Sequence, residues 1–141
     1  MIIDELTDIL HREKCSCVIY NRGKKMICHE RGVKDLYRLL KSDKSVLEGA
    51  VIADKVIGKG AAALMILGGV SEVYADVISR PAMDLLSSVS IPVSYGVCVS
   101  NIIDRNGTGV CPVETLCIDC ESAIDCLPLI ERFVKEITER E

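Results

Sequence analysis

The sequence has few aromatic residues, no long apolar run and no surplus of basic residues. None of its 141 residues is Trp, and one, Phe133, is Phe. The longest apolar run, Ala61–Leu67, is far shorter than the roughly 20 residues that cross a bilayer. We therefore expect no membrane partner. The net charge of −4 argues against a nucleic-acid partner, because surfaces that bind nucleic acid are usually basic.

An export signal is also missing from the first residues of the sequence. They carry acidic side chains where a signal peptide has basic ones, so we expect a cytoplasmic protein. In that compartment the eight cysteines would stay reduced. Free cysteines often pack as small apolar side chains, and core packing alone could explain several of them.

The apolar pattern predicts the α/β class. The length favours a single domain over 1–141. An amphipathic helix is predicted over 2–13 and a β-hairpin over 15–29. Helices and strands then alternate, which predicts a mixed sheet covered by helices on both faces. Further helices are predicted at 33–41, 55–67, 81–88 and 122–139, and further strands at 50–53, 73–79, 91–99 and 116–119.

The stretch 49–79 holds the polar residues most typical of a binding site. It has the pattern of a strand, a turn and a helix of small apolar residues that ends at a Gly-Gly pair. Asp54 is predicted to cap this helix, and Lys55 and Lys59 would share one helical face. Because helix N-termini bind phosphate, these residues predict an anion or nucleotide site. The alternative is a helix cap with two solvated lysines.

The same predicted helix contains two glycines, which are unfavourable in a helix interior. Gly58 and Gly60 would each cost the helix roughly 1 kcal/mol relative to Ala. Close approach to the sheet or to a ligand would offset that cost.

A second candidate site lies between 104 and 115. Cys111 precedes a proline-started turn, where free N–H groups lower a thiol pKa, and Glu114 could reach back as in a capping box. Cys111 is therefore a candidate nucleophile with Glu114 or a lysine as acid/base partner, or else a cap in a tight loop. The glycine-rich segment before it is either a ligand-contacting loop or a simple turn. The candidate ligand-binding residues of this region are Asn106, Gly107, Thr108 and Thr115.

Four cysteines near the C-terminus raise the possibility of a metal site. Cys111, Cys117, Cys120 and Cys126 are separated by five, two and five residues, which matches no established ligand pattern. In a strand, residues three apart point to opposite faces, which argues against joint ligation by Cys117 and Cys120. We predict no metal and no cofactor.

Three runs of the sequence resemble the domain of unknown function 1893 family of prokaryotic proteins. They are ADKVIGKGAAALMILGG, VYADVISRPAMDLL and NGTGVCPVET, in that order. The resemblance implies a cytidine-deaminase-like fold, which is a three-layer α/β/α sandwich around a mixed five-stranded sheet. Proteins of this fold often associate, so it also implies a homodimer.

The resemblance does not extend to zinc chemistry. Zinc deaminases carry a His or Cys and a Glu at one helix start and Pro-Cys-x-x-Cys at the next. The stretches expected there read Ala53-Asp54-Lys55 and Pro81-Ala82-Met83-Asp84, so zinc-dependent deamination is not expected. The leading hypothesis is a protein that binds a nucleotide-like or other phosphate-bearing small molecule. The alternatives are an enzyme with Cys111 as nucleophile and a cysteine-rich redox or metal-binding protein.

Overall fold

The computed structural model describes residues 2–29, 33–102 and 112–140. The class and the sheet predicted from the sequence are confirmed: helices flank a mixed sheet of five strands. The strands are β1 (Cys17–Asn21), β2 (Lys24–Cys28), β3 (Val51–Ile57), β4 (Glu72–Ser79) and β5 (Val93–Val99). The helices are α1 (Ile2–Arg12), α2 (Lys34–Ser42), α3 (Lys59–Gly68), α4 (Arg80–Ser88), α5 (Pro112–Cys117) and α6 (Ala123–Arg140), with a 3₁₀ turn at Lys44–Val46.

The sheet has the order β2-β1-β3-β4-β5. The hairpin strands run antiparallel to each other, and β1 also pairs antiparallel with β3. From there β3, β4 and β5 run parallel, each joined to the next by a helix. The carboxyl ends of β3 and β4 therefore lie side by side, and each leads directly into a helix.

Helix α3 is the centre of the larger core. It packs against α2, α4, α5 and α6, and the run Ala61–Met65 is buried. A helix surrounded in this way needs apolar residues on every side, which explains its unpatterned, Ala-rich sequence. Helix α1 packs on β1, β3 and β4 and buries Leu6 and Leu10 in a separate cluster with Val18 and Ala53.

The start of α3 differs from the prediction. Strand β3 continues to Ile57, which pairs with Ile78 of β4, and the helix begins at Lys59 with Gly58 as its N-cap. The β-branched Val56 and Ile57 favour a strand, and pairing with β4 extends it. The prediction that Asp54 caps the helix is therefore wrong, and Lys55 and Lys59 do not share a helical face.

The strand predicted over 116–119 is also wrong. Residues up to Cys117 belong to α5, and a turn leads from there to Cys120. The N–H of Cys120 donates to the carbonyl of Cys117 at 3.0 Å, which closes the turn. The argument that a strand separates Cys117 from Cys120 therefore does not hold.

Candidate functional site

The candidate site lies where β3 and β4 end and α3 and α4 begin. The hydroxyl of Ser79, the last residue of β4, accepts the Ala82 N–H at 3.2 Å and so caps α4. Pro81 occupies the first turn of that helix, where its missing N–H costs nothing. Gly58, the N-cap of α3, offers no side-chain acceptor to its own helix. Two helix N-termini with different capping thus meet at one edge of the sheet.

Glu114 of α5 reaches into this meeting point. Its side chain is 1% exposed, and its Oε1 accepts the Ser79 hydroxyl at 2.6 Å. Its other oxygen, Oε2, is buried and has no hydrogen-bond partner among the described residues. Positive helix N-termini favour a carboxylate, but a buried acceptor without a partner costs about 1–3 kcal/mol. An unpaired buried oxygen is the most site-like feature of the described chain.

Gly58, the N-cap of α3, and Gly60, in its first turn, leave space for this carboxylate and for α5. A Cβ on Gly58 would lie 2.5 Å from Glu114 Oε2, and a Cβ on Gly60 would overlap Cγ1 of Val113. Real Cβ atoms essentially never come that close. The close approach that the sequence suggested for these glycines is therefore to α5.

Lys59 lies beside this group but is already bound within the protein. Its side chain is 7% exposed, and its Nζ donates to the carbonyls of Ile118 at 3.1 Å and Cys120 at 2.6 Å. An ammonium group has three N–H donors, and within the described ranges the third has no acceptor. The Lys59 side chain borders an open hollow of about 330 Å³ that Asp84 and Glu121 also line.

Asp54 and Lys55, which were predicted to form a site with Lys59, do not lie at this helix start. Both belong to β3, where Asp54 pairs with Cys17 of β1 and the Lys55 side chain is exposed. Burial, with Asp76 nearby, raises the pKa of Asp54 to about 7, although its Oδ1 accepts the Val56 N–H at 3.3 Å. Asp54 therefore titrates near neutrality in the sheet.

The second predicted group is described only in part. Cys111, Asn106, Gly107 and Thr108 lie outside the described residues. Thr115 is exposed on α5. Of that group, the structure places Glu114 in the site.

Three cysteines that the sequence raised as part of a possible metal site lie around the turn that Lys59 holds, although the strand predicted over 116–119 would have placed Cys117 and Cys120 on opposite faces. Cys117 and Cys126 are fully buried and Cys120 is partly exposed, and all three belong to or pack against one core cluster. The sequence signal was a C-x-x-C at a helix end followed by a third cysteine in the next helix. Ser79 was also missed, although a Ser just before Arg-Pro is a recognisable N-cap pattern.

The described residues contain neither a cluster able to hold a metal ion nor a helix able to cross a membrane. Across 2–29, 33–102 and 112–140, no three His, Cys, Asp or Glu side chains are placed to hold a metal ion. Within the same ranges, no helix combines the length and the apolar character that a membrane crossing requires.

Comparison with known proteins identifies the family. The family model for the domain of unknown function DUF1893 matches residues 5–134. The fold matches the crystal structure of a DUF1893 family protein (TM1506) from Thermotoga maritima, with a TM-score of 0.83 and 23% identity over 92% of this chain and 87% of that one. No curated protein matches the sequence. Since the family model spans most of the chain, the protein belongs to the DUF1893 family.

Proposed function

We propose that this protein binds a nucleoside-like small molecule at the start of α3, through a heterocycle that donates an N–H to Glu114. The observation that carries the proposal is the buried Oε2 of Glu114, which has no partner in the described chain. A ligand N–H would remove the cost of that unpaired acceptor.

The neighbouring backbone supplies the complementary donors. Helix α3 has no side-chain cap, and the first N–H groups of a helix have no partner within it. Donors and one acceptor thus lie next to each other around Gly58. A group that carries both a C=O and an N–H, such as the edge of a pyrimidine or purine, satisfies both at once.

The charges around the site disfavour binding of a phosphate group. Glu114 already places a carboxylate at the two helix N-termini, and the hollow near Lys59 also contains Asp84 and Glu121. A phosphate in either place would face like charges, which disfavours it. One N–H of Lys59 remains for an anionic group, so a nucleotide would bind with an affinity close to that of its nucleoside.

The implied cytidine-deaminase-like fold supports a nucleoside site at this edge of the sheet, but the residues do not support deamination. With the helix boundary corrected, the start of α3 reads Gly58-Lys59-Gly60, and α4 starts with Arg80-Pro81-Ala82. These positions supply no thiolate, imidazole or carboxylate that could hold a catalytic zinc. The proposal is therefore binding without zinc hydrolysis.

Isothermal titration calorimetry tests the proposal. Purine and pyrimidine nucleosides, their monophosphates and inorganic phosphate are titrated separately into the full chain. We expect one nucleoside to bind, its monophosphate to bind within a fewfold of it, and phosphate alone not to bind. Tight binding of phosphate alone, or no binding of any nucleoside, would contradict the proposal.

A nearly isosteric substitution identifies the contact. Glu114→Gln replaces one carboxylate oxygen by a donor, and we expect the affinity for the nucleoside to fall about tenfold or more, which corresponds to about 1.4 kcal/mol or more. Glu139→Gln, an exposed position on α6, is the matched control and should bind as the unmodified chain does. Equal affinity in the Glu114 variant, with its fold retained by circular dichroism, would exclude this carboxylate as the contact.

A further inference from the structure

A hollow lies between α4 and the connection from α5 to α6, residues 118–122. Helix α3 packs against α4, α5 and α6, and its first residue, Lys59, lines the hollow. One wall consists of positions 81, 84, 85 and 88 of α4, which share a helical face. The volume of about 330 Å³ lies within the range of roughly 300–1,000 Å³ that is typical of small-molecule pockets.

Lys59 contributes a buried positive charge to this hollow. Its side chain is 7% exposed, and its ammonium group donates to two neutral carbonyls, those of Ile118 and Cys120. Both of these residues also line the hollow, so the ammonium group lies beside it. None of the ion pairs among the described residues includes Lys59. Buried charges are usually paired with an opposite charge, and a bound anionic group would provide one.

Two carboxylates restrict which anionic group can bind there. Asp84 of α4 and Glu121 of the connection line the same hollow, and both side chains are exposed. Neither forms an ion pair within the part of the chain that the structure describes. They disfavour a simple anion such as phosphate, because like charges repel, and they favour a cation. A ligand that satisfies all three charges therefore carries both a negative and a positive group.

The hollow also has an apolar side. Pro81 and Leu85 of α4 and Ile118 of the connection line it, and Ile118 is 45% exposed. A bound apolar group would remove part of this surface from water, which is favourable. An acidic group in the same place would instead lie near the two carboxylates.

We propose that this hollow binds a free α-amino acid with an apolar side chain. The carboxylate of the amino acid accepts an N–H of Lys59, and its ammonium group faces Asp84 and Glu121. Its side chain lies against the apolar side of the hollow. Glu114 is not among the residues that line the hollow, so the proposal does not depend on nucleoside binding.

Simpler ligands satisfy only part of this arrangement. An amine without a carboxylate faces Asp84 and Glu121 but leaves the charge of Lys59 unpaired. A carboxylic acid without an ammonium group pairs with Lys59 but faces the two carboxylates. These two classes of analogue therefore separate the contribution of the lysine from that of the acidic residues.

Isothermal titration calorimetry of the full chain tests the proposal. Alanine, valine, leucine and methionine are titrated separately, and the tightest binder is compared with its decarboxylated amine and its deaminated acid. For leucine these analogues are isoamylamine and isocaproate. We expect each analogue to bind at least about tenfold more weakly than the amino acid. No binding of any of the four amino acids at about 10 mM, or equal affinity for either analogue, would overturn the proposal.

Substitutions at the exposed carboxylates test the second contact. Asp84→Asn and Glu121→Gln, combined in one chain, remove both negative charges and leave the buried residues unchanged. We expect the affinity for the amino acid to fall at least about fivefold and its advantage over the deaminated acid to shrink. Asp119→Asn, at an exposed position of the same connection that does not line the hollow, is the matched control and should bind as the unmodified chain does. Unchanged affinity in the double variant, or an equal loss in the control, would overturn the assignment of the ammonium group.

Discussion

At the scale of single residues, Gly58 and Glu114 fit together as a pair. The carboxylate oxygen occupies the space that any side chain at position 58 would need. We expect Gly58→Ala to lower the free energy of unfolding by about 1–3 kcal/mol, because overpacking a tight contact costs that much. Urea denaturation measures the change.

A double-mutant cycle supplies the control for this prediction. In a Glu114→Ala background the added methyl no longer meets Oε2, so Gly58→Ala should cost clearly less than it does alone. Additive costs would show that the substitution acts through the poorer capping by Ala rather than through the contact.

Asp54 gives a second residue-scale prediction, on pH. Its pKa is raised from 3.8 to about 7 by burial, so the folded state holds the proton more tightly than the unfolded state. The stability this group contributes is complete below pH 3.8 and is lost as pH rises through about 7. Urea unfolding should therefore show Asp54→Asn gaining stability relative to the unmodified chain between pH 5 and pH 8.

The exposed Asp8 of α1 is the matched position for that experiment. Asp8→Asn should show no comparable gain over the same pH range. A gain of equal size in both variants would trace the effect to net charge and not to burial of Asp54.

At the scale of elements, the sequence predicted which helices and strands exist better than where they end. The amphipathic pattern of α1, the turn in the hairpin and the Pro at the start of α4 are local signals, and the structure confirms those elements. The end of β3 depends on its pairing with β4, which no local pattern contains. The N-cap of α3 was therefore predicted at Asp54, four residues before the observed N-cap, Gly58.

Ser79 joins two elements, because it caps α4 and donates to Glu114 of α5. Ser79→Ala would remove both bonds and leave a second oxygen of Glu114 unpaired. We expect the free energy of unfolding to fall by about 1–3 kcal/mol or more. Ser87→Ala, at an exposed position of the same helix, should change stability by less than about 0.5 kcal/mol.

At the scale of the whole molecule, Lys59 connects the central helix to the C-terminal part of the chain. Lys59→Met would leave the carbonyls of Ile118 and Cys120 without this donor. Hydrogen exchange should become faster over 117–121, where the turn would open more often. Lys55→Met, on the exposed side of β3, is the control and should leave exchange in that turn unchanged.

The same lysine shows why the site could be predicted only in part. Polar residues near a small-residue helix indicated that the region mattered, and Lys59 and Glu114 were both among the candidates. Their juxtaposition depends on α5 packing into the gap that Gly58 and Gly60 leave, which is a contact across more than 50 positions of sequence. The homodimer remains a prediction at this scale.

The short helix α5 carries Glu114 near its start and Cys117 at its end. Glu114 packs against Gly58, and the turn that follows Cys117 is held by Lys59, so both ends of α5 are tied to the start of α3. Binding of a nucleoside at Glu114 and opening of that turn would therefore be thermodynamically linked. Whatever factor the nucleoside applies to the opening equilibrium of the turn, the open turn must apply to nucleoside affinity.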